Sequence, residues 1–174
     1  DIGYNWSGSI GDLTWYDTNG DGIQNEIPLL GAPNATVVLY GDTNGDGEYQ
    51  SGEPILAVDE TDANGAYLFD ELPPGKYVVE VSEQEVPAPP GSPNAGQVGT
   101  MIATTGTSVG VDLAAGEDRT DVDWGFKEAA ILEGTLFHDV NANGLLDGGE
   151  PGLPGNLTSP AGVLITLTGT DQNG

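Results

Sequence analysis

Glycine and proline interrupt this chain every few residues, with 28 Gly and 12 Pro among its 174 residues. Between the interruptions, apolar residues alternate with polar ones or form short blocks. They do not recur every three or four positions, as an amphipathic helix would require. The sequence therefore predicts an all-β protein made of short strands joined by turns.

Seven segments have the composition and length of strands. They are residues 10–17, 35–41, 55–61, 66–71, 76–82, 107–113 and 120–126. Asn64-Gly65 predicts a hairpin between the third and fourth segments, and Leu72-Pro-Pro-Gly75 predicts a tight corner before the fifth. Residues 83–100 are rich in Pro and Gly and predict a long surface loop. Seven short strands with these turns predict a β-sandwich.

The charge of the chain excludes several classes of partner. Lys and Arg together number 3 against 28 Asp and Glu, which gives a net charge of −25 at pH 7. Such a surface repels nucleic acid and anionic membranes, and no apolar run is long enough to span a bilayer. The chain has no Cys, which excludes disulfides and thiolate metal sites. With one His and no Ser in an elbow motif, it also lacks a constellation for nucleophilic catalysis, and we expect no enzyme activity.

Parts of the sequence recur at a fixed spacing. Asp1-Ile-Gly-Tyr4 is similar to Asp123-Trp-Gly-Phe126, and Asp17 and Asp139 begin similar segments that also lie 122 positions apart. One offset shared by separate matches indicates a tandem repeat. We expect residues 1–8 to be the last strand of a preceding repeat and a linker, residues 9–127 to be a complete sandwich, and residues 128–174 to be the beginning of the next repeat, including a strand at 162–169.

Two segments have the spacing of an EF-hand calcium loop. Such a loop carries side-chain oxygens at positions 1, 3 and 5, Gly at 6, a backbone carbonyl at 7 and Glu at 12. In the second loop (residues 42–53) these are Asp42, Asn44, Asp46, Gly47, Glu48 and Glu53. In the third loop (residues 139–150) they are Asp139, Asn141, Asn143, Gly144, Leu145 and Glu150. Since the Gly bend folds alternate side chains onto one point, each loop predicts a Ca²⁺ site.

The first loop (residues 17–28) has the same beginning but a different end. Its matching residues are Asp17, Asn19, Asp21, Gly22 and Ile23. Pro28 stands at position 12, and Glu26, at position 10, is the nearest acid. Either Glu26 completes this calcium site, or a carboxylate from elsewhere does so, such as Asp59 or Asp62.

Asp, Asn and Gly also cluster in ordinary turns, and we assign that local role to Asp62 in the Asp-Ala-Asn-Gly turn. It does not explain three loops with one internal order. A dockerin also has two such loops, but each is followed by a helix. Here the first loop is followed by LLGAPNATVVLYG, whose Pro, Gly and β-branched residues disfavour a helix, and the second by the strand-like ILAVDET.

At this point the sequence resembles a known family. The segments IGDLTWYDTNGDGIQ, GDTNGDGEYQSGEPILAVDETDANGAYLFDELPPGKYVVEV and LAAGEDRTDVDWGF are similar to the SdrD B-like domain of bacterial surface and secreted proteins, a relative of the CNA-B fold. The resemblance implies a calcium-stiffened, immunoglobulin-like sandwich used in tandem as an extracellular stalk. Related domains carry a Lys–Asn isopeptide bond, but neither Lys76 nor Lys127 lies on the first strand, so we expect none here.

The expected partners are neighbouring repeats of the same protein, with completion of the partial repeats by the continuing chain or by self-association into a fibre. The alternative hypothesis is an adhesive module that recognises a protein or glycan ligand through the 83–100 loop or an edge strand. That loop contains no aromatic residue, which disfavours a glycan more than a protein.

Overall fold

The computed structural model describes residues 6–130 and 135–152. The chain divides into two compact units, Asp1–Ala130 and Ile131–Gly174. The elements assigned in the described residues are all strands, so the all-β prediction is confirmed. In the same residues, no helix is long and apolar enough to cross a membrane. The strands predicted at residues 1–4 and 162–169 lie outside the described residues.

Nine strands lie within the described part of the first unit. They are β1 (Gly8–Tyr16), β2 (Thr36–Gly41), β3 (Ile55–Glu60), β4 (Ala66–Leu72), β5 (Gly75–Ser82), β6 (Met101–Ala103), β7 (Ser108–Leu113), β8 (Asp118–Arg119) and β9 (Trp124–Glu128). Six of the seven predicted segments coincide with β1–β5 and β7 to within two residues. The exceptions, β6, β8 and the start of β9, are too short or too polar to show an alternating pattern.

The strands form two sheets that pack as a sandwich, as predicted. One sheet has the order β4-β1-β9-β6, with β8 beside the first half of β1, and the other has the order β3-β2-β5-β7. β1 pairs with β9 in parallel, and Trp15 lies opposite Gly125. β2 pairs with β5 in an antiparallel register that places Leu39 opposite Val79. Both β1 and β2 are therefore interior strands of their sheets.

The core lies between the sheets and consists of the inward-facing residues of strands from both sheets. Fully buried side chains include Ile10 of β1, Leu39 of β2, Val79 of β5 and Phe126 of β9. The Tyr67 hydroxyl is buried and donates to the carbonyl of Val122 at 2.6 Å, which satisfies its polar end. Burial of these apolar surfaces is the main favourable term in folding this unit.

The Asn64-Gly65 prediction is half right. Asp62 accepts bonds from the amides of Asn64 at 2.8 Å and Ala66 at 2.9 Å, so the turn is present. The strands it joins are not paired with each other, because β3 and β4 belong to different sheets. A turn sequence specifies a reversal of the backbone, but the burial of the two flanking strands decides whether they form a hairpin or cross between sheets.

Two further predictions need correction. The predicted strand at 120–126 begins only at Trp124, because Val122 packs into the core as part of an irregular segment. The described residues 83–100 contain no strand, as expected, but the segment is not only a surface loop. Val86 and Ala88 are buried within the core. Its Pro and Gly residues therefore accompany a segment that closes one side of the sandwich.

Gly65 lies where three backbone segments meet. Its carbonyl accepts a bond from the Thr14 amide at 2.8 Å, and the buried Thr14 hydroxyl donates to the carbonyl of Ala32 at 2.5 Å. Gly65 has a φ of +82°, and a Cβ there would lie 2.2 Å from the Thr14 carbonyl oxygen. No side chain fits without separating these segments.

We predict that Gly65→Ala lowers the free energy of unfolding more than Gly91→Ala does, and that the two losses differ by at least about 2 kcal/mol. Gly91 is the matched control because its φ is +91° but nothing lies within 4 Å of the added methyl group. Urea unfolding of both variants at saturating calcium measures the difference. Equal losses would show that the close approach at Gly65 contributes nothing.

Asp123 is a half-buried carboxylate at the start of β9. Its Oδ1 accepts a bond from the Leu13 amide at 3.0 Å. Burial raises the pKa of Asp123; the Leu13 amide opposes this effect, and the charges of Asp12 and Asp121 add to it. The native state therefore binds this proton more tightly than the unfolded chain does, and this group lowers stability as pH rises from 3.8 through the raised pKa.

We predict that Asp123→Asn raises the melting temperature at neutral pH, since it removes the buried charge and keeps an oxygen for the Leu13 amide. The advantage over the parent chain should shrink as pH falls through the raised pKa and then below 3.8, where Asp123 is mostly protonated in both the native and the unfolded state. Asp70→Asn, which removes an exposed charge of β4, is the control in the same melting curves. A neutral-pH destabilisation by Asp123→Asn would contradict the prediction.

Candidate metal centre

Two acidic loops begin where an interior strand of each sheet ends. The first loop starts at Asp17, directly after β1, and the second at Asp42, directly after β2. The third loop belongs to the second unit, where a bridge between Phe137 and Gly152 closes its two ends. Each loop is thus held at a fixed spacing by paired backbone.

The first residue of each loop is a carboxylate that gathers the loop's own amides. One of its oxygens accepts a bond from the amide of the Gly at position 6. The distances are 2.8 Å from Gly22 to Asp17, 2.9 Å from Gly47 to Asp42 and 2.7 Å from Gly144 to Asp139. This bond bends the loop around the carboxylate. The Gly at position 6 has a positive φ in all three loops, between 71° and 79°, which is the conformation that favours glycine.

Positions 3 and 5 repeat a second pattern in all three loops. The side-chain oxygen at each position accepts a bond from the amide two residues further on, as in an Asx turn. For position 3, the acceptors Asn19, Asn44 and Asn141 receive bonds of 2.8, 3.0 and 3.0 Å. For position 5, the acceptors Asp21, Asp46 and Asn143 receive bonds of 2.9, 3.0 and 2.7 Å. The three loops therefore share one backbone scaffold.

Position 12 closes the second and third loops in the same way. Glu53 accepts the amide of Thr43 at 2.9 Å with one oxygen and the amide of Gln50 at 3.1 Å with the other. Glu150 accepts the equivalent amides of Val140 and Asp147, both at 3.0 Å. A carboxylate has about four lone-pair positions, so both oxygens keep free capacity.

The first loop ends differently, as its sequence predicts. Glu26 contacts the Asp17 carboxylate, and both Glu26 oxygens are buried without a hydrogen-bond partner. The other two acids considered for this role are engaged elsewhere. Asp59 accepts the Leu68 amide at 3.1 Å, and Asp62 holds the turn before β4. Of the three alternatives, the structure brings only Glu26 to Asp17.

Hydrogen bonds within the loops lower the pKa of Asp17, Asp46 and Asp139. Burial raises the pKa of Asp17, but the neighbouring Thr104 hydroxyl, the amides of Gly22 and Gly20 and the Glu26 side chain together hold it below its usual value. The amide at position 7 lowers the pKa of Asp46, and the Gly144 amide lowers that of Asp139. The position 1 acids Asp17 and Asp139, and Asp46 at position 5, are therefore ionised at neutral pH.

The second loop packs against its own sheet. The Lys76 ammonium of β5 donates to the Gly45 carbonyl at 3.3 Å. Gly47 lies so close to Gly110 of β7 that a Cβ on Gly110 would be 2.5 Å from the Gly47 Cα. The loop that begins at the end of β2 thus rests on β5 and β7, which fixes its position relative to the sandwich.

The donor set is made of oxygen atoms only. In the described residues, no three His, Cys, Asp or Glu side chains form a group that could hold a metal by themselves. The ligand set predicted from the spacing would instead combine carboxylates with Asn amide oxygens and with the backbone carbonyls of Ile23, Glu48 and Leu145. Hard oxygen ligands of this kind suit Ca²⁺ and not Zn²⁺ or copper. The Glu26 carboxylate also fits a cation, because both of its oxygens are buried and no hydrogen-bond donor contacts them.

Sequence reasoning missed the residues at position 9. The amide group of Asn25 donates to Asp21 at 2.9 Å, that of Gln50 donates to Asp46 at 2.9 Å, and Asp147 accepts the Asn143 amide group at 2.6 Å. Position 9 of an EF-hand loop often acts through a water molecule, so the spacing itself could have identified them. Thr104, which lies beside Asp17, is distant in sequence and carried no such signal.

Comparison with known proteins agrees with this architecture. The family model of the SdrD B-like domain matches residues 8–126. Serine-aspartate repeat-containing protein F of Staphylococcus epidermidis is 32% identical over 173 residues, which cover 95% of this chain and 10% of that protein. Serine-aspartate repeat-containing protein D of Staphylococcus aureus strain Newman is 30% identical over 174 residues, 95% of this chain and 12% of that protein.

Similarity extends beyond staphylococci. Colossin-B of Dictyostelium discoideum is 29% identical over 202 residues, covering 100% of this chain and 5% of that protein. Among solved structures, the Bacillus anthracis TIE protein matches 76% of this chain and 21% of its own, with 14% identity and a TM-score of 0.44. The chain spans about a tenth or less of most of these relatives. Because the family model covers more than half of the sequence, the chain belongs to the SdrD B-like domain family.

Proposed function

We propose that this chain is a calcium-stabilised structural repeat of an extracellular protein, cell-surface or secreted, that works in a stalk or fibre beside neighbouring repeats. The observation that carries this proposal is the hydrogen-bond scaffold shared by the three loops. In each loop the backbone holds oxygens of positions 1, 3 and 5 around one bend. A Ca²⁺ ion requires six to eight such oxygens.

The residues that would hold calcium are those predicted from spacing, together with position 9. The bound ion would supply positive charge where the chain has almost none, since 3 Lys and Arg face 28 Asp and Glu. Without it, carboxylates in one loop repel one another at short range. Calcium that binds only the native loops adds directly to folding stability.

A stalk role is supported by where the first two loops lie. The first extends from β1 of one sheet, and the second extends from β2 of the other sheet and packs on β5 and β7. Ions at these places would stiffen both layers of the sandwich. The 122-residue spacing of similar segments and the small share of each relative that this chain covers support one module among several.

We propose no catalytic role for this module. A single His and the absence of Cys leave acidic side chains as the main reactive groups, and those of the loops serve the calcium sites.

An apolar cleft favours the alternative function, a module that binds a ligand. It is lined by Tyr16, Leu29, Leu30, Pro33, Pro87 and Pro90. Its wall includes the 83–100 segment, and its apolar lining suits a peptide better than a glycan.

We predict that excess EDTA lowers the melting temperature of the chain substantially relative to millimolar CaCl₂, because chelation restores carboxylate repulsion in the loops. MgCl₂ should recover only part of the difference, since Mg²⁺ demands a smaller octahedral shell and keeps its waters. Circular dichroism melts in the three buffers measure this. Superimposable curves in EDTA and CaCl₂ would contradict the proposed function.

A second prediction separates ligation from charge. Glu53→Gln should weaken calcium binding at the second loop by at least about tenfold, since even partners of metal ligands cost about 10–100-fold. Glu48→Gln is the matched control, because it removes the same charge from the same loop, but position 7 contributes only its backbone carbonyl. Isothermal titration calorimetry of both variants tests this. Equal losses from the two would mean that general charge, and not the closing carboxylate, controls binding.

A further inference from the structure

The first loop differs from the other two in the burial of its acids. Asp17 is 0% exposed, whereas Asp42 and Asp139 remain partly exposed. Its closing acid, Glu26, has two buried oxygens that accept no hydrogen bond, while Glu53 accepts two backbone amides. The first loop therefore contains a buried carboxylate with nothing to offset its charge.

A third oxygen lies in the same place. The Thr104 hydroxyl is beside the Asp17 carboxylate, close enough to lower the pKa of Asp17, but the two form no hydrogen bond of ordinary geometry. The Thr104 Oγ1 is buried without any partner. The Thr104 carbonyl oxygen faces the same loop, since it lies 3.4 Å from where a Cβ on Gly22 would be.

The position of Thr104 is fixed by β9. Its amide donates to the Gly125 carbonyl at 2.8 Å, and a Cβ on Gly125 would lie 2.5 Å from the Thr104 hydroxyl oxygen. Only a glycine at 125 leaves room for the hydroxyl. Thr104 directly follows β6, so a residue at one edge of the sheet reaches the loop that extends from β1.

Without a bound ion, this group of buried oxygens destabilises the fold. A buried polar atom without a hydrogen-bond partner has lost its hydration with nothing in return, and this is the state of both Glu26 oxygens and of the Thr104 hydroxyl oxygen. One cation coordinated by oxygens of Asp17, Glu26 and Thr104 would give all of these buried atoms a partner. A Ca²⁺ ion has the required coordination number for this mixed set.

We propose that Glu26 and Thr104 complete the calcium shell of the first loop, so that its ion cross-links β1 to the β6 edge of the sheet. The inference rests on the proposed calcium-binding function. It assigns Thr104 a metal-binding role although Thr104 lies 78 positions after Glu26 in the sequence. Calcium at the second loop would be held by that loop alone, whereas calcium at the first loop would join two segments that are distant in sequence and lie on either side of β9.

The test uses Thr104→Val, which keeps the shape of the side chain and removes its oxygen. Thr100→Val is the matched control, because the Thr100 hydroxyl is also buried without a partner but precedes β6 at its other end. The amide NMR signals of Gly22, Gly47 and Gly144 report separately on the three loops during a CaCl₂ titration of the intact chain.

We expect Thr104→Val to weaken calcium binding at Gly22 on the order of tenfold, with no change at Gly47 or Gly144 and no effect of Thr100→Val. In EDTA, Thr104→Val should melt no lower than the parent chain, since it removes an unsatisfied hydroxyl. A purely structural role would lower stability in both buffers. Unchanged affinity at Gly22 would overturn the inference and leave the proposed function intact.

Glu26→Gln provides an independent check. The substitution relieves the contact between two carboxyl groups, so it should raise the melting temperature in EDTA and weaken calcium binding at Gly22. A lower melting temperature in EDTA together with unchanged affinity at Gly22 would overturn the inference. If Gly22, Gly47 and Gly144 in the parent chain all fail to respond to calcium, both the inference and the proposed function are wrong.

Discussion

Repulsion between carboxylates at the ends of two interior strands is the constraint on which this structure depends. β1 and β2 each run directly into an acidic loop, and the chain offers 3 basic residues against 28 acidic ones. Backbone amides offset part of the charge at Asp17 and Asp42. They leave the Glu26 carboxylate without a donor. A divalent cation in these loops, as proposed above, would offset the charge that the amides do not.

The loops and the sandwich depend on each other. Each loop can gather its oxygens because paired strands fix the residue from which it starts, and the second loop also rests on β7 through Gly47 and Gly110. In return, an ion in the loop would limit how far the strand ends can separate. This reciprocal dependence is the usual linkage between metal binding and folding, and it would suit the stalk role proposed above.

Local patterns in the sequence predicted the strands and loops well, because alternation and the Asp-x-Asn-x-Asp-Gly order depend on neighbouring residues. Long-range features were not predictable in this way. The turn at Asn64 was correctly located, but its flanking strands belong to different sheets, which is decided by packing. Likewise, Glu26 could be named as one of three candidates from spacing, while Thr104 reaches Asp17 only through the pairing of β6 with β9.

We propose above that calcium ions occupy these acidic loops in the folded chain. Native mass spectrometry of the intact chain, after exchange into a volatile buffer with calcium in modest excess, counts them directly. We expect a folded species that carries three calcium ions and loses them together with its compact charge-state distribution on chelation. A compact chain with no bound calcium, unchanged by chelation, would contradict it.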